Sequence, residues 1–210
     1  MQDIYQYMDL NSSYVELGAA LVTGILGPIV VQHLKNKYYT VPPVDPVKEA
    51  SEHNMIIYEQ LKEMMNETEC DRIWLNQFHN GGHFYPTGKS IQKFSMIYEC
   101  VNDETESIQD QFQNIPISLF AQSMHHLLTS DYISVPEFGK DTPFGLQYVS
   151  VGEQPKSLYM FALKDIKDRF MGTLGIEFIN DQKVYECKDI NQMQIKVTRI
   201  AGILENHLNK

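Results

Sequence analysis

The sequence predicts an α+β fold: an antiparallel central sheet with its N- and C-terminal helices packed on one face, preceded by a single hydrophobic helix. Three observations lead there. Strand-like segments fall in the middle and late chain, at 72–79, 92–101, 132–135, 158–163 and 170–179. Long stretches with apolar residues three and four apart bracket them, and a charge-free run lies ahead of everything. Strands grouped between helices, rather than alternating strictly with them, favour an antiparallel sheet with helices on one side.

The charge-free run is LGAALVTGILGPIVV, residues 17–31, with Glu16 before it and Lys35 and Lys37 after it. Extended by Tyr14 and Val15 on one side and Leu34 on the other, it covers 14–34 and approaches the roughly 20 apolar residues of a bilayer span. Tyr38 and Tyr39 suit an interface beside the lysines. A helix buried in an oligomer and a re-entrant segment are the alternatives, kept open by Gly24, Gly27 and Pro28. A signal peptide is disfavoured, because no Lys or Arg precedes Lys35. Asp3, Asp9 and Glu16 lie before the run, so the positive-inside rule leaves the C-terminal domain in the cytoplasm of a single-pass membrane protein. The expected organisation is a tail and transmembrane helix over 1–40, a proline-rich linker at 41–46 and an α+β domain over 47–210.

Asp45 can cap and Pro46 can open the helix after the linker, which the pattern carries to about Asn66. Val47, Ala50, Asn54, Ile57, Leu61 and Met64 form a heptad-like stripe. A polar Asn54 within it is the device that fixes register in a two-stranded coiled coil, which predicts a homodimer. Alternatively the same stripe packs one helix on a sheet. After two strands, Pro116 starts a helix over 116–128 with Ile117, Phe120, Ala121, Met124, Leu127 and Leu128 on one side. A strand, a long connection and two further strands follow. The last helix begins near Asp189 and carries Ile190, Met193, Val197, Ile200, Ala201, Leu204 and Leu208.

MGTLGIEFIN, residues 171–180, followed by CKDINQMQIKVTRIAGILENHL, resembles the closing signature of a GAF domain, a GAF/PAS-type sensor. The shared features are a G-x-L-x-I strand, a short loop and a long helix with a late small residue and Asn, here Ala201 and Asn206. The resemblance implies a GAF-like fold over 46–210 and a small-molecule sensing or dimerising module. The chain departs from cyclic-nucleotide-binding relatives in lacking an NKxxx-type stretch, and no cysteine is placed for a bilin. The ligand and any cofactor stay unassigned.

The segment RIWLNQFHNGGHFYPTGKSIQKFSMIYE, residues 72–99, joins two strands by more chemistry than a turn needs. Asn80, Gly81 and Gly82 permit close backbone approach, and His79, His83, Tyr85 and Lys89 add donors, a titratable ring and an aromatic face. With Gln77 on the strand before and Tyr98 on the strand after, this is the inventory of a site for a small polar molecule. The other reading is that the glycines only turn the chain and His79 is a hydrogen-bonded structural histidine.

Several classes are disfavoured. A formal charge of −10 with no basic cluster argues against nucleic acid. Cys70, Cys100 and Cys187 form no CxxC pair, His79 and His83 are four apart but around two glycines rather than on a helix, and His125 and His126 point to different sides of theirs, so no metal is expected. No GxxxxGK[ST], HExxH or GxSxG occurs, so no enzyme is expected, a thiol-dependent GAF-fold reductase being the remotest reading. Asn11 and Asn66 open formal glycosylation sequons that the orientation makes incidental. Two functions remain: a membrane-tethered sensory module acting through a dimer, and a ligand-free scaffold on the same fold.

The membrane expectation is directly testable. The intact chain is expected to sediment with membranes and resist alkaline extraction, whereas a chain starting at Val41 is expected to be soluble. Recovery of the intact chain as a soluble monomer refutes the span.

Overall fold

A computed structural model of the chain describes residues 14–16, 18–38, 45–83, 87–139 and 154–208. It divides into two compact units, Met1–Lys48 and Glu49–Lys210. In the first, one helix long and apolar enough to cross a membrane runs over Tyr14–Lys35, and none of it is buried within the chain. Length and composition fit a span and equally a signal sequence. The helix widens to a π segment at Val22–Leu26 and continues as α1, Gly27–Tyr38. Pro28 explains the widening: it has no N–H, and its ring crowds the carbonyl four residues back. The preceding Gly27 N–H reaches five residues back to the Val22 carbonyl.

Helix α2, Pro46–Thr68, starts as the sequence predicts, with Asp45 Oδ1 accepting the Val47 N–H at 2.9 Å and the Lys48 N–H at 3.3 Å. Strands follow at β1 (Arg72–His83), β2 (Ser90–Val101), β3 (Ile115–Pro116), β4 (Tyr132–Val135), β5 (Ser157–Lys164) and β6 (Phe170–Phe178). They form one antiparallel sheet in the order β3-β2-β1-β6-β5-β4. Between β2 and β4 lie a 3-10 turn at Gln109–Gln111, a second at Ile117–Phe120 and helix α3, Ala121–Ser130. Helix α4 spans Cys187–Leu208, opening two residues before Asp189. The expected helix over 116–128 is therefore split: Pro116 lies in β3, and a 3-10 turn precedes the α-helix.

Each strand's alternation builds two cores. On one face Ile73, Leu75, Tyr159, Phe161, Leu174 and Ile176 meet Ile57, Leu61 and Met64 of α2 and Ile190, Val197, Ile200 and Leu204 of α4. On the other, Trp74, Phe94, Met96, Leu158 and Met160 meet Ile108, Phe112, Phe120, Met124 and Leu127. Burial of each such side chain contributes about 1.5–3 kcal/mol. This corrects the expected coiled-coil seam. Its C-terminal half, Ile57, Leu61 and Met64, is fully buried against the chain's own sheet, so it is closed to a second copy. Asn54 is exposed and accepts the Tyr98 hydroxyl at 2.5 Å instead of marking a buried register.

Asp71, ahead of β1, ties the sheet ends together. Its carboxylate accepts the Ile179 N–H at 2.6 Å, the Asn180 N–H at 2.9 Å, the Asn180 side-chain amide at 3.0 Å and the Asn102 side-chain amide at 2.6 Å. Burial pushes its pKa up, but the hydrogen bonds from Asn180, Ile179 and Asn102 more than reverse this and hold it below the ordinary carboxylate value. A folded-state pKa below the unfolded one gives stability that is present above the usual carboxylate range and lost as pH falls through the folded pKa. Asp71→Ala is therefore expected to lower stability at neutral pH by about 1–3 kcal/mol. It should also flatten the acid limb of a stability-against-pH curve from urea unfolding.

Candidate functional site

Arg72 on β1 pairs in register with Glu177 on β6, and both point to the face away from α2 and α4. The guanidinium Nη1 donates to Glu177 Oε2 at 2.6 Å, and Trp74 Nε1 donates to Oε1 of the same carboxylate at 2.8 Å. Nη2 donates to the Glu106 carbonyl at 2.7 Å. Nε lies 3.2 Å from Glu99 Oε1, close enough for an ion pair but off the hydrogen-bond line. Glu99 in turn accepts the N–H groups of Ile108 at 3.0 Å and Gln109 at 3.1 Å, and the Ser107 hydroxyl. The Arg72, Glu177 and Glu99 side chains are 2 % exposed. Charges this buried persist only when paired. The network thereby fastens the loop at 106–109 over the sheet.

Beneath that loop is a small cavity. Its floor is Trp74 and Asn76 of β1, Phe94 and Met96 of β2, Met160 of β5 and Thr173 and Glu177 of β6, and its roof is Ile108, Phe112, Phe120, Ser123 and Met124. The space open to the centre of a water-sized sphere is about 20 Å3, enough for roughly one water. Two glycines set how closely β6 approaches β1 and the Trp74 ring. A Cβ on Gly175 would stand 2.1 Å from the Trp74 ring, and one on Gly172 would stand 2.0 Å from the Asn76 carbonyl oxygen. Only glycine lets the indole lie flat on β6 and lets β6 approach β1 this closely. Asn76 is 5 % exposed; its amide nitrogen reaches Thr173 Oγ1 at 3.4 Å, and its Oδ1 has no partner.

At rest the space admits a molecule of about water's size. Among the described residues no cluster of three or more His, Cys, Asp or Glu side chains could hold a metal. Cys70 and Cys100 lie in the other core, where burial pushes the Cys70 thiol up to about 12 and raises that of Cys100 as well. Burial thus disfavours the thiolate, the reactive form, at both positions.

The residues predicted from the sequence lie elsewhere. β1 continues through His83, so His79, Asn80, Gly81, Gly82 and His83 are strand residues of a hairpin rather than a loop. The hairpin outruns the sheet, because β6 pairs with β1 only as far as Gln77 opposite Gly172. His79 Nε2 is 3.0 Å from Ser95 Oγ, and Asn80 Oδ1 accepts the Ser90 hydroxyl and the Gln92 amide, each at 3.0 Å. Lys93 lies across Gly81, Gly82 has φ of 107°, and His83 and Lys89 are exposed. Tyr85 falls outside the described residues. Alternation puts Gln77 and His79 on the side of Ile73 and Leu75, and Tyr98 reaches Asn54 of α2. None of these side chains lines the cavity. Sequence reasoning passed over Arg72, Glu99 and Glu177, three charges inside strand-like segments. Charged residues in otherwise apolar strands were the signal available.

No protein-family profile matches the sequence, and no curated protein matches it. The fold does have solved counterparts. A far-red cyanobacteriochrome photoreceptor superposes with a TM-score of 0.56 at 11% identity, over 85% of this chain and 94% of that one. The blue-light absorbing form of the Thermosynechococcus elongatus PixJ GAF domain gives 0.55 at 13%, over 73% and 84%. A phycocyanobilin-bound GAF domain from a cyanobacterial phytochrome gives 0.55 at 18%, over 74% and 85%. The architecture is that of GAF domains, as the resemblance in the last strand and helix implies.

Removing the buried cation is expected to be severe. Arg72→Met leaves Glu177 and Glu99 buried without it and should cost about 3–5 kcal/mol in urea unfolding. Cys70 and Cys100 should resist alkylation in the folded protein at neutral pH and react on unfolding.

Proposed function

We propose that this chain is a membrane-tethered sensory or regulatory module of GAF-like fold. Its Tyr14–Lys35 helix spans the bilayer, its α+β domain lies in the cytoplasm, and a small molecule binds in the cavity under the 106–109 loop. One observation carries the reading: Asn76, whose Oδ1 is buried and unpartnered, lines a small apolar cavity. A buried acceptor without a donor costs about 1–3 kcal/mol, which a ligand or a water supplying that donor recovers. The shared fold supports it, since one similar structure is a phycocyanobilin-bound GAF domain. A space for roughly one water excludes so large a ligand in the present conformation. The output is a homodimer formed by the part of α2 left outside the core, where Val47, Met55, Ile56 and Tyr58 are exposed.

The small cavity favours a second reading, in which the fold is a ligand-free scaffold. Thermal unfolding of the full chain in detergent, against a library of small metabolites, separates the two, because a binder selective for the folded state raises Tm by mass action. A compound that stabilises the wild type but not Met124→Trp, whose larger ring fills the cavity, supports the cavity as the site. Loss of the effect in His79→Ala with retention in Met124→Trp transfers the site to the hairpin, and no response from any compound leaves the scaffold.

A further inference from the structure

We infer that the cavity selects a compact, uncharged aromatic molecule of one or two rings that carries one O–H or N–H donor. This rests on the proposal that the cavity is the ligand site and gives that ligand a chemical class.

The walls set the body of the ligand. Trp74, Phe94 and Phe112 offer ring faces and edges, and Met96, Met124 and Met160 offer thioethers. Aromatic surfaces meet another ring in stacked or edge-on geometries. Unbranched methionine side chains re-pack readily, so a space that holds one water at rest can admit a ring by rotamer changes of three residues. The polar groups set the rest. Asn76 turns its amide nitrogen to Thr173 and leaves Oδ1 as a bare acceptor. The Glu177 carboxylate, also at the wall, is a second acceptor. Arg72, the cation beside it, directs Nη1 to Glu177 and Nη2 to the Glu106 carbonyl. One guanidinium thus stands between two buried carboxylates, Glu177 and Glu99. A carboxylate or phosphate ligand would enter a site of excess negative charge with no free cation to meet it, at a large desolvation cost. A donor-bearing neutral ring satisfies Asn76 and adds no buried charge.

Trp74 is the only tryptophan in the chain, so its fluorescence, excited at the red edge where simple phenols do not absorb, reports directly on the cavity. The full chain in detergent is titrated with toluene, anisole, phenol and benzoate. These share one ring and differ in having no polar group, an acceptor only, a donor, and a charge. Toluene and phenol are expected to change Trp74 emission saturably, phenol about tenfold more tightly than anisole, and benzoate not at all. In Asn76→Leu, which keeps the shape and removes the acceptor, toluene should still bind and the preference for phenol over anisole should vanish. If toluene binds but phenol is no better than anisole, or benzoate binds as well as phenol, the ligand class is wrong and the cavity stands. If no probe reaches saturation, the cavity holds a buried water only, and the site falls with the class.

Discussion

One buried cation organises the second unit. Arg72 leaves the first residue of β1 and is held between carboxylates from the two flanking strands, Glu177 of β6 and Glu99 of β2, while its remaining nitrogen takes the Glu106 carbonyl. The desolvation of three charges is large, so the geometry must be met on all sides at once. Satisfying it fixes the register of the three central strands, sets the Trp74 indole against Glu177, and brings the 106–109 loop down over the sheet through the Glu99 cap. The cavity is what remains under that loop once the charges are paired.

The two faces of the sheet have different chemistry because their covers differ. The long helices α2 and α4 close one face with largely aliphatic side chains, and polar groups there are paired, as Tyr98 is with Asn54 and the Tyr159 hydroxyl with the Lys183 carbonyl. The other face is closed by irregular segments and the short α3. Loops carry backbone polar groups that need partners; here the Gln109 and Gln113 amides of the cover donate to the Met96 carbonyl, and Glu99 beneath accepts the Gln109 N–H. An irregular cover held by a few polar anchors leaves gaps that two packed helices do not, and it can move more cheaply.

The hairpin of β1 and β2 follows from strand length. Beyond Gln77 and Gly172 the β6 pairing ends; β3 still flanks β2 at Phe94 and Lys93, and past that the hairpin has its own ladder and the hydrogen bonds of His79 with Ser95 and of Asn80 with Ser90 and Gln92. Polar residues suit a ribbon without a core beneath it. The polar wealth of this segment thus has a structural use as well as a recognition potential.

Local chemistry in the sequence determined the elements. Capping by Asp45 and Pro46, the three-and-four spacing along both long helices and the alternation of the strands each depend on neighbours within a turn or two, and each is realised in the structure. Alternation along β1 puts Ile73 and Leu75 on one side and Trp74 and Asn76 on the other. Alternation does not say which side the helices cover, and nothing local to Asn76 distinguishes it from the histidines and glycines after Phe78. Only tertiary structure decided that, because it depends on Arg72 meeting Glu177 across more than a hundred residues of chain, on Gly172 and Gly175 admitting the Asn76 backbone and the Trp74 ring, and on a loop whose own sequence has no strong periodicity. Periodicity records which residues share a face; partners distant in sequence settle what each face meets.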